Sequence, residues 1–106
     1  MGYTLECCVD SVESAIAAKK GGADRLELCS ALVIGGLSPS QALYRKIREQ
    51  ADIPIRVLLR PRFGDFCYTD YEHEILKEEV RSFRKLGADG IVIGTMKPDG
   101  TLNLEQ

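Results

Sequence analysis

Arg25-Leu26-Glu27-Leu28-Cys29 alternates polar and apolar residues, and that alternation decides the fold. Successive side chains of a strand point to opposite faces. This stretch therefore turns Leu26 and Leu28 to one side and Arg25, Glu27 and Cys29 to the other. The first strand-like run of the chain, Leu5-Glu6-Cys7-Cys8-Val9, repeats the Glu-x-Cys spacing. Two neighbouring strands are thus expected to present a carboxylate and a thiol each.

Working outward, strand-like runs at about 4–9, 25–29, 54–60 and 90–94 alternate with helix-like segments at about 11–21, 39–50 and 70–86. That is the order of a parallel sheet with helical crossovers. Asp10-Ser11-Val12-Glu13, Ser38-Pro39-Ser40-Gln41 and Thr69-Asp70-Tyr71-Glu72 each fit a capping box, with Pro39 at the first helical position. Gly22-Ala23-Asp24 before the second strand recurs as Gly87-Ala88-Asp89 before the fourth, a hint of an internal repeat. In the last helix, Ile75, Leu76, Val80, Phe83 and Leu86 make an apolar stripe that predicts packing against the sheet.

Extending the parity to all four strands gives one apolar face: Leu5, Cys7 and Val9; Leu26 and Leu28; Ile55, Val57 and Leu59; Ile91 and Ile93. The other face holds Glu6 and Cys8; Arg25, Glu27 and Cys29; Arg56, Leu58 and Arg60; Gly90, Val92 and Gly94. A flat doubly wound sheet is covered by helices on both sides and would be apolar on both. A closed (β/α)₈ barrel of the TIM type has one helical face and one inward face that carries functional charges near the strands' C-terminal ends. The pattern is that of the barrel. Such a barrel needs about 250 residues, whereas this chain has 106. We therefore expect a single domain, residues 1–106, forming the N-terminal half of a barrel with about the first four β/α units.

The composition is that of an ordinary globular domain, 44% hydrophobic and 28% charged. A net charge of −2 leaves no electrostatic footprint for nucleic acid or an anionic membrane. No apolar run approaches the roughly 20 residues of a membrane span, and no basic and apolar leader precedes the first strand. A cytoplasmic location and reduced thiols are the corresponding expectations.

Three groups of residues could carry chemistry. If in register on adjacent strands, Cys8 and Cys29 would bring two sulfurs together at the top of the inward face. Soft thiolates select Cu(I) and also suit zinc. Zinc wants four ligands, and the single histidine, His73, lies in the acidic helical segment Glu72-His73-Glu74. A low-coordinate Cu(I) site is thus the better metal assignment, the alternative being two small buried core residues. Glu6 and Glu27, with Arg56 and Arg60, form either an internal ion-pair layer or catalytic groups that move a proton. Finally, Arg60-Pro61-Arg62-Phe63-Gly64-Asp65-Phe66 follows the third strand. There Arg60 and Arg62 could clamp a carboxylate or phosphate, with Asp65 orienting an arginine or binding a hydroxyl, or the loop could be salt-bridged on itself. Cys7 is expected in the core and Cys67 in a loop.

Taken together, Leu5-Glu6-Cys7-Cys8-Val9-Asp10-Ser11-Val12-Glu13-Ser14-Ala15, Gly21-Gly22-Ala23-Asp24-Arg25-Leu26-Glu27-Leu28-Cys29-Ser30, Gly35-Gly36-Leu37-Ser38-Pro39-Ser40, Arg60 to Phe66 and Gly87-Ala88-Asp89-Gly90 resemble the CutC family of copper homeostasis proteins. The resemblance implies a TIM-type barrel, a cytoplasmic location, self-association, and Cu(I) handling through Cys8 and Cys29. The competing function is a barrel enzyme acting on a small anionic metabolite. It would use Arg60 and Arg62 for the anion and Glu6 or Glu27 for the proton. Phe63 stands where the family loop usually has a second glycine, which predicts a different backbone course or less room beside Arg62. The family's His-Arg-Ala-Phe-Asp motif is absent. A half barrel would expose both sheet edges, so a second such chain is expected to cover them, unless the chain is a shortened form of a longer product.

Overall fold

The computed structural model describes residues 2–106. Four parallel strands, β1 (Glu6–Val9), β2 (Arg25–Leu28), β3 (Ile55–Leu58) and β4 (Gly90–Val92), lie in sequential order. Between them run α1 (Val12–Lys20), α2 (Gln41–Gln50) and α3 (Asp70–Lys85). A short 3₁₀ turn, Leu32–Ile34, follows β2. The register sets Glu6 beside Arg25, Cys8 beside Glu27, Glu27 beside Arg56 and Arg56 beside Gly90.

The strand parity holds in the centre of the sheet. Val9, Leu26, Leu28, Ile55, Val57 and Leu59 are all buried, together with Ala15 from α1, Tyr44 and Ile47 from α2, and Leu76 and Phe83 from α3. Tyr44 and Phe83 meet edge to face across the two helices, 5.9 Å between ring centroids. Leu5 and Ile93, which share the parity of the apolar face but lie just outside the two edge strands, β1 and β4, remain about half exposed. Ile75, at the margin of the α3 stripe, is likewise exposed.

The repeated Gly-Ala-Asp has one structural job in both places. Gly22 and Gly87 take left-handed conformations, φ +103° and +88°, that let the chain leave a helix and enter a strand at once. The aspartate then clasps the start of the preceding strand. The Leu5 amide donates to Asp24 Oδ2 at 2.7 Å and Leu5 O accepts from the Asp24 amide at 2.8 Å. Ile55 and Asp89 repeat both bonds at 2.8 and 3.0 Å.

Two of the three expected caps sit elsewhere. Thr69 and Glu72 form the full box, each side chain accepting from the other's backbone amide. At α1 the cap is Ser11 and not Asp10; at α2 it is Ser40, so Pro39 lies outside the helix. Ser38 is displaced from capping because its hydroxyl accepts the Arg60 amide at 2.8 Å and lies within reach of Glu79 Oε1 at 3.3 Å, fastening the loop before α2 to β3 and α3. The strands are also shorter than the expected runs. Cys29 and Arg60 fall just beyond β2 and β3, although the Cys29 amide still donates to Val9 O at 2.9 Å and the Leu59 amide to Val92 O at 2.9 Å. Both side chains therefore sit at the C-terminal rim of the sheet.

Candidate functional site

On the polar face, Glu27 lies at the centre of a thiol pair. Its Oε2 is 3.8 Å from Cys8 Sγ and 3.6 Å from Cys29 Sγ, so both sulfurs converge on one carboxylate oxygen. Their convergence follows from the register: Cys8 stands beside Glu27, and Cys29 is two residues further along the same face of β2. Cys8 is exposed and Cys29 is buried. Burial first, and then the negative charge of Glu27, push both thiols up, Cys29 to about 12. The pair is therefore protonated near neutrality, each S–H directed at an acceptor. Among the described residues no group of three or more His, Cys, Asp or Glu is placed to hold a metal ion. The donors that the register brings together here are two sulfurs with one carboxylate oxygen alongside.

The expected ion-pair layer takes another form. Glu6 pairs with Arg25, its neighbour across the β1–β2 register, with Arg25 Nε 2.5 Å from Glu6 Oε2. Neither Arg56 nor Arg60 joins it. Arg56 is exposed, with its aliphatic stem over Gly90, where a Cβ would meet Arg56 Cγ at 3.1 Å. Arg60 is taken up by main-chain carbonyls instead: Nη1 donates to Gly36 O at 3.0 Å and Ile34 O at 3.4 Å, and Nη2 to Gly64 O at 2.8 Å. Its guanidinium also stacks 5.1 Å from the Phe66 ring centroid. Its Nε is buried without a partner.

Arg62 is saturated. Nε donates to Glu72 Oε2 at 2.7 Å; Nη2 donates to Asp65 Oδ1 at 3.0 Å and Cys67 O at 2.9 Å; Nη1 donates to Asp65 O at 2.8 Å and Phe63 O at 3.3 Å. A guanidinium has five N–H groups, and these contacts use them all within the loop and the first turn of α3. Asp65 is equally committed, accepting from Arg62 and from the Cys67 amide at 3.0 Å. Those bonds hold the Asp65 carboxyl below its usual range, and the Thr69 amide with Arg62 does the same for Glu72. Phe63 avoids the left-handed conformation a glycine would allow, and it is 69% exposed.

The structure thus brings Cys8, Glu27 and Cys29 together and closes Arg62 and Asp65 into a separate network. Sequence reasoning missed the partners. Arg25 was legible once register was known, and Glu72 through its capping position; nothing in the sequence marked Ser38 as a link to Arg60. It also missed the loop over Cys29, where Ala31 stands in a left-handed conformation, φ 50° and ψ 49°. A groove of about 270 Å³ along α3, lined by His73, Leu76, Val80 and Ile93 among others, contains none of the candidate residues.

Sequential parallel strands, helices on one side and chemistry at the C-terminal rim of the other define a partial TIM-like barrel. A crystal structure of a CutC protein from Streptococcus agalactiae superposes on 97% of this chain with a TM-score of 0.86 at 28% identity, and the match covers 51% of that chain. The sequence matches the CutC family over residues 3–106, and the chain belongs to that family. Relatives named copper homeostasis protein cutC homolog are 47% identical in Homo sapiens over 98% of this chain, and 50% identical in Drosophila melanogaster over 96%. The chain spans 38% and 39% of those two proteins.

Proposed function

We propose that this chain takes part in copper homeostasis by binding Cu(I) between Cys8 and Cys29 at the rim of one domain equivalent to the N-terminal half of a CutC barrel, in the cytoplasm. The observation that carries the assignment is the convergence of both thiols on Glu27 Oε2. The names of its relatives support the copper role. Two soft sulfurs with, among the described residues, no group of three or more ligating side chains suit Cu(I) better than zinc, which closes a tetrahedral site. Because the ligand is the thiolate, binding one Cu(I) through both cysteines releases two protons. Glu27 is the acceptor within reach of either S–H; the proton passes through it to solvent as each Cu–S bond forms. Glu6 stays with Arg25 and takes no part in that transfer.

Anaerobic Cu(I) titration against a competing chelator tests this. Cys8→Ser and Cys29→Ser should each weaken binding at least about 100-fold, while Cys67→Ser should not. Binding indifferent to both substitutions would make the pair ordinary core thiols.

A second reading, turnover of a small anionic metabolite, draws support from exposed Arg56, which forms no ion pair among the described residues, and from the unpartnered Nε of Arg60. There Glu6 or Glu27 would move the proton. Phosphate binding lost in Arg56→Ala but retained in Cys8→Ser would favour it.

A further inference from the structure

The segment after β2 is built as a rigid cap on Cys29. Ser30 and Leu37 close it through a pair of antiparallel hydrogen bonds at 2.7 and 2.8 Å, and the Ser30 hydroxyl also donates to Ser38 O at 2.8 Å. Within it Ala31, Gly35 and Gly36 all take positive φ, 50°, 95° and 95°. A left-handed non-glycine residue is strained and persists only where its surroundings hold it. The surroundings here are the Gly36 amide, bonded to Ala31 O at 3.1 Å, and the Arg60 guanidinium, which grips the carbonyls of Ile34 and Gly36. Arg60 also grips Gly64, so the loops after β2 and β3 are held to one another.

The cap lies against the sulfur. A Cβ on Gly36 would clash with Leu58 Cδ2 at 2.9 Å and would stand in ordinary contact with Cys29 Sγ at 3.7 Å, so the Gly36 backbone passes close beside both side chains. Cys29 is 1% exposed, with Gly36 close beside its sulfur and Glu27 bordering it. The exposed partner thiol is on Cys8.

We propose that the 30–37 cap, with Arg60 as its positioning residue, sets the metal selectivity of the site. It covers Cys29 and leaves further ligands only the side of Glu27 and of exposed Cys8, and so favours a low-coordinate soft ion over ions that require a complete tetrahedral shell. The inference rests on Cys8 and Cys29 being the metal ligands. Arg60 touches neither sulfur and acts through the backbone of Gly36.

The test compares the unmodified chain with Arg60→Lys and Arg60→Ala, each checked for folding by circular dichroism, in competition titrations with Cu(I) and with Cd(II). Lysine keeps the charge but lacks the fork that reaches three carbonyls, so both variants should behave alike. The affinity ratio of Cu(I) to Cd(II) should fall at least about tenfold, and X-ray absorption should show the bound Cu(I) gaining a third neighbour. Equal weakening toward both metals, or an unchanged ratio, in the folded Arg60→Lys variant would overturn the role of the cap. If Cu(I) binding to the unmodified chain were indifferent to Cys8→Ser, the site itself would be gone, an outcome distinct from an unchanged ratio at an intact site.

Discussion

Cys8, Glu27 and Cys29 on one side, and Arg62, Asp65 and Glu72 on the other, are two charged clusters at the same rim of the same sheet, with opposite states of satisfaction. Arg62 has spent every N–H on its own loop and on the start of α3. Around Glu27 the only donors among the described residues are two weak S–H groups, at 3.6 and 3.8 Å. Residue type did not separate these clusters, since forked cations and carboxylates suit a ligand site as well as a brace. The difference lies in unspent bonding capacity. A site keeps groups whose best partner is not yet present; a brace does not.

The sharpest way to probe that contrast is thiol reactivity. With its pKa pushed up to about 12 from 9.0, Cys29 holds about 1,000-fold less thiolate near pH 8 than an ordinary cysteine. In iodoacetamide labelling followed by mass spectrometry it should be the last of the four cysteines to react, and early labelling at Cys29 would break the account of its burial. Next comes metal binding, where Cys29→Ser should lower Cu(I) affinity at least about 100-fold and Arg62→Ala should leave it within about twofold. The Arg62 variant should instead lose thermal stability by several degrees, because it strands Glu72, Asp65 and three carbonyls. A copper defect in Arg62→Ala without a drop in melting temperature would reverse the assignment.

Two smaller effects follow from proton linkage. Asp65 and Glu72 titrate below their usual values when folded, so their contribution is complete above the unfolded carboxylate range and disappears as pH falls through the folded values. Arg62→Ala should accordingly flatten the acid limb of a melting-temperature profile. Glu79 has the opposite sign. Burial raises its carboxyl, outweighing the Ser38 hydrogen bond, so the folded state favours the protonated form and stability declines as pH rises through the unfolded and then the folded value. Glu79→Gln should slightly raise the melting temperature at pH 7 and erase that decline; a lower melting temperature would show that the charged form is the stabilising one.

Much of the fold was legible because period-two alternation is a backbone property. Leu26 and Leu28 against Glu27 and Cys29 sort the faces without knowledge of any partner. The Glu-x-Cys repeat placed both thiols on the correct side, and register then set them on Glu27. What the sequence hid was pairing. Glu6 chose Arg25 because register makes them neighbours, whereas Arg60 turned to the carbonyls of the 30–37 cap, a contact across 24 residues between its Nη1 and Gly36. Ser38 looked like a helix cap and became a tertiary link for the same reason: hydrogen-bonding capacity goes to whichever partner the fold brings near, and that is a property of three dimensions.

The sequential order of the strands bears on how the chain acquires its structure. Each strand pairs with the one before it, across loops of about one helix, and no pairing waits for a distant segment. Loop-closure entropy is therefore met in small instalments. The bond from Leu5 to Asp24 joins β1 and β2 without any residue of β3. The clasp is made again when Asp89 reaches Ile55. The strand order thus permits each unit to template the next from the N-terminal side onward.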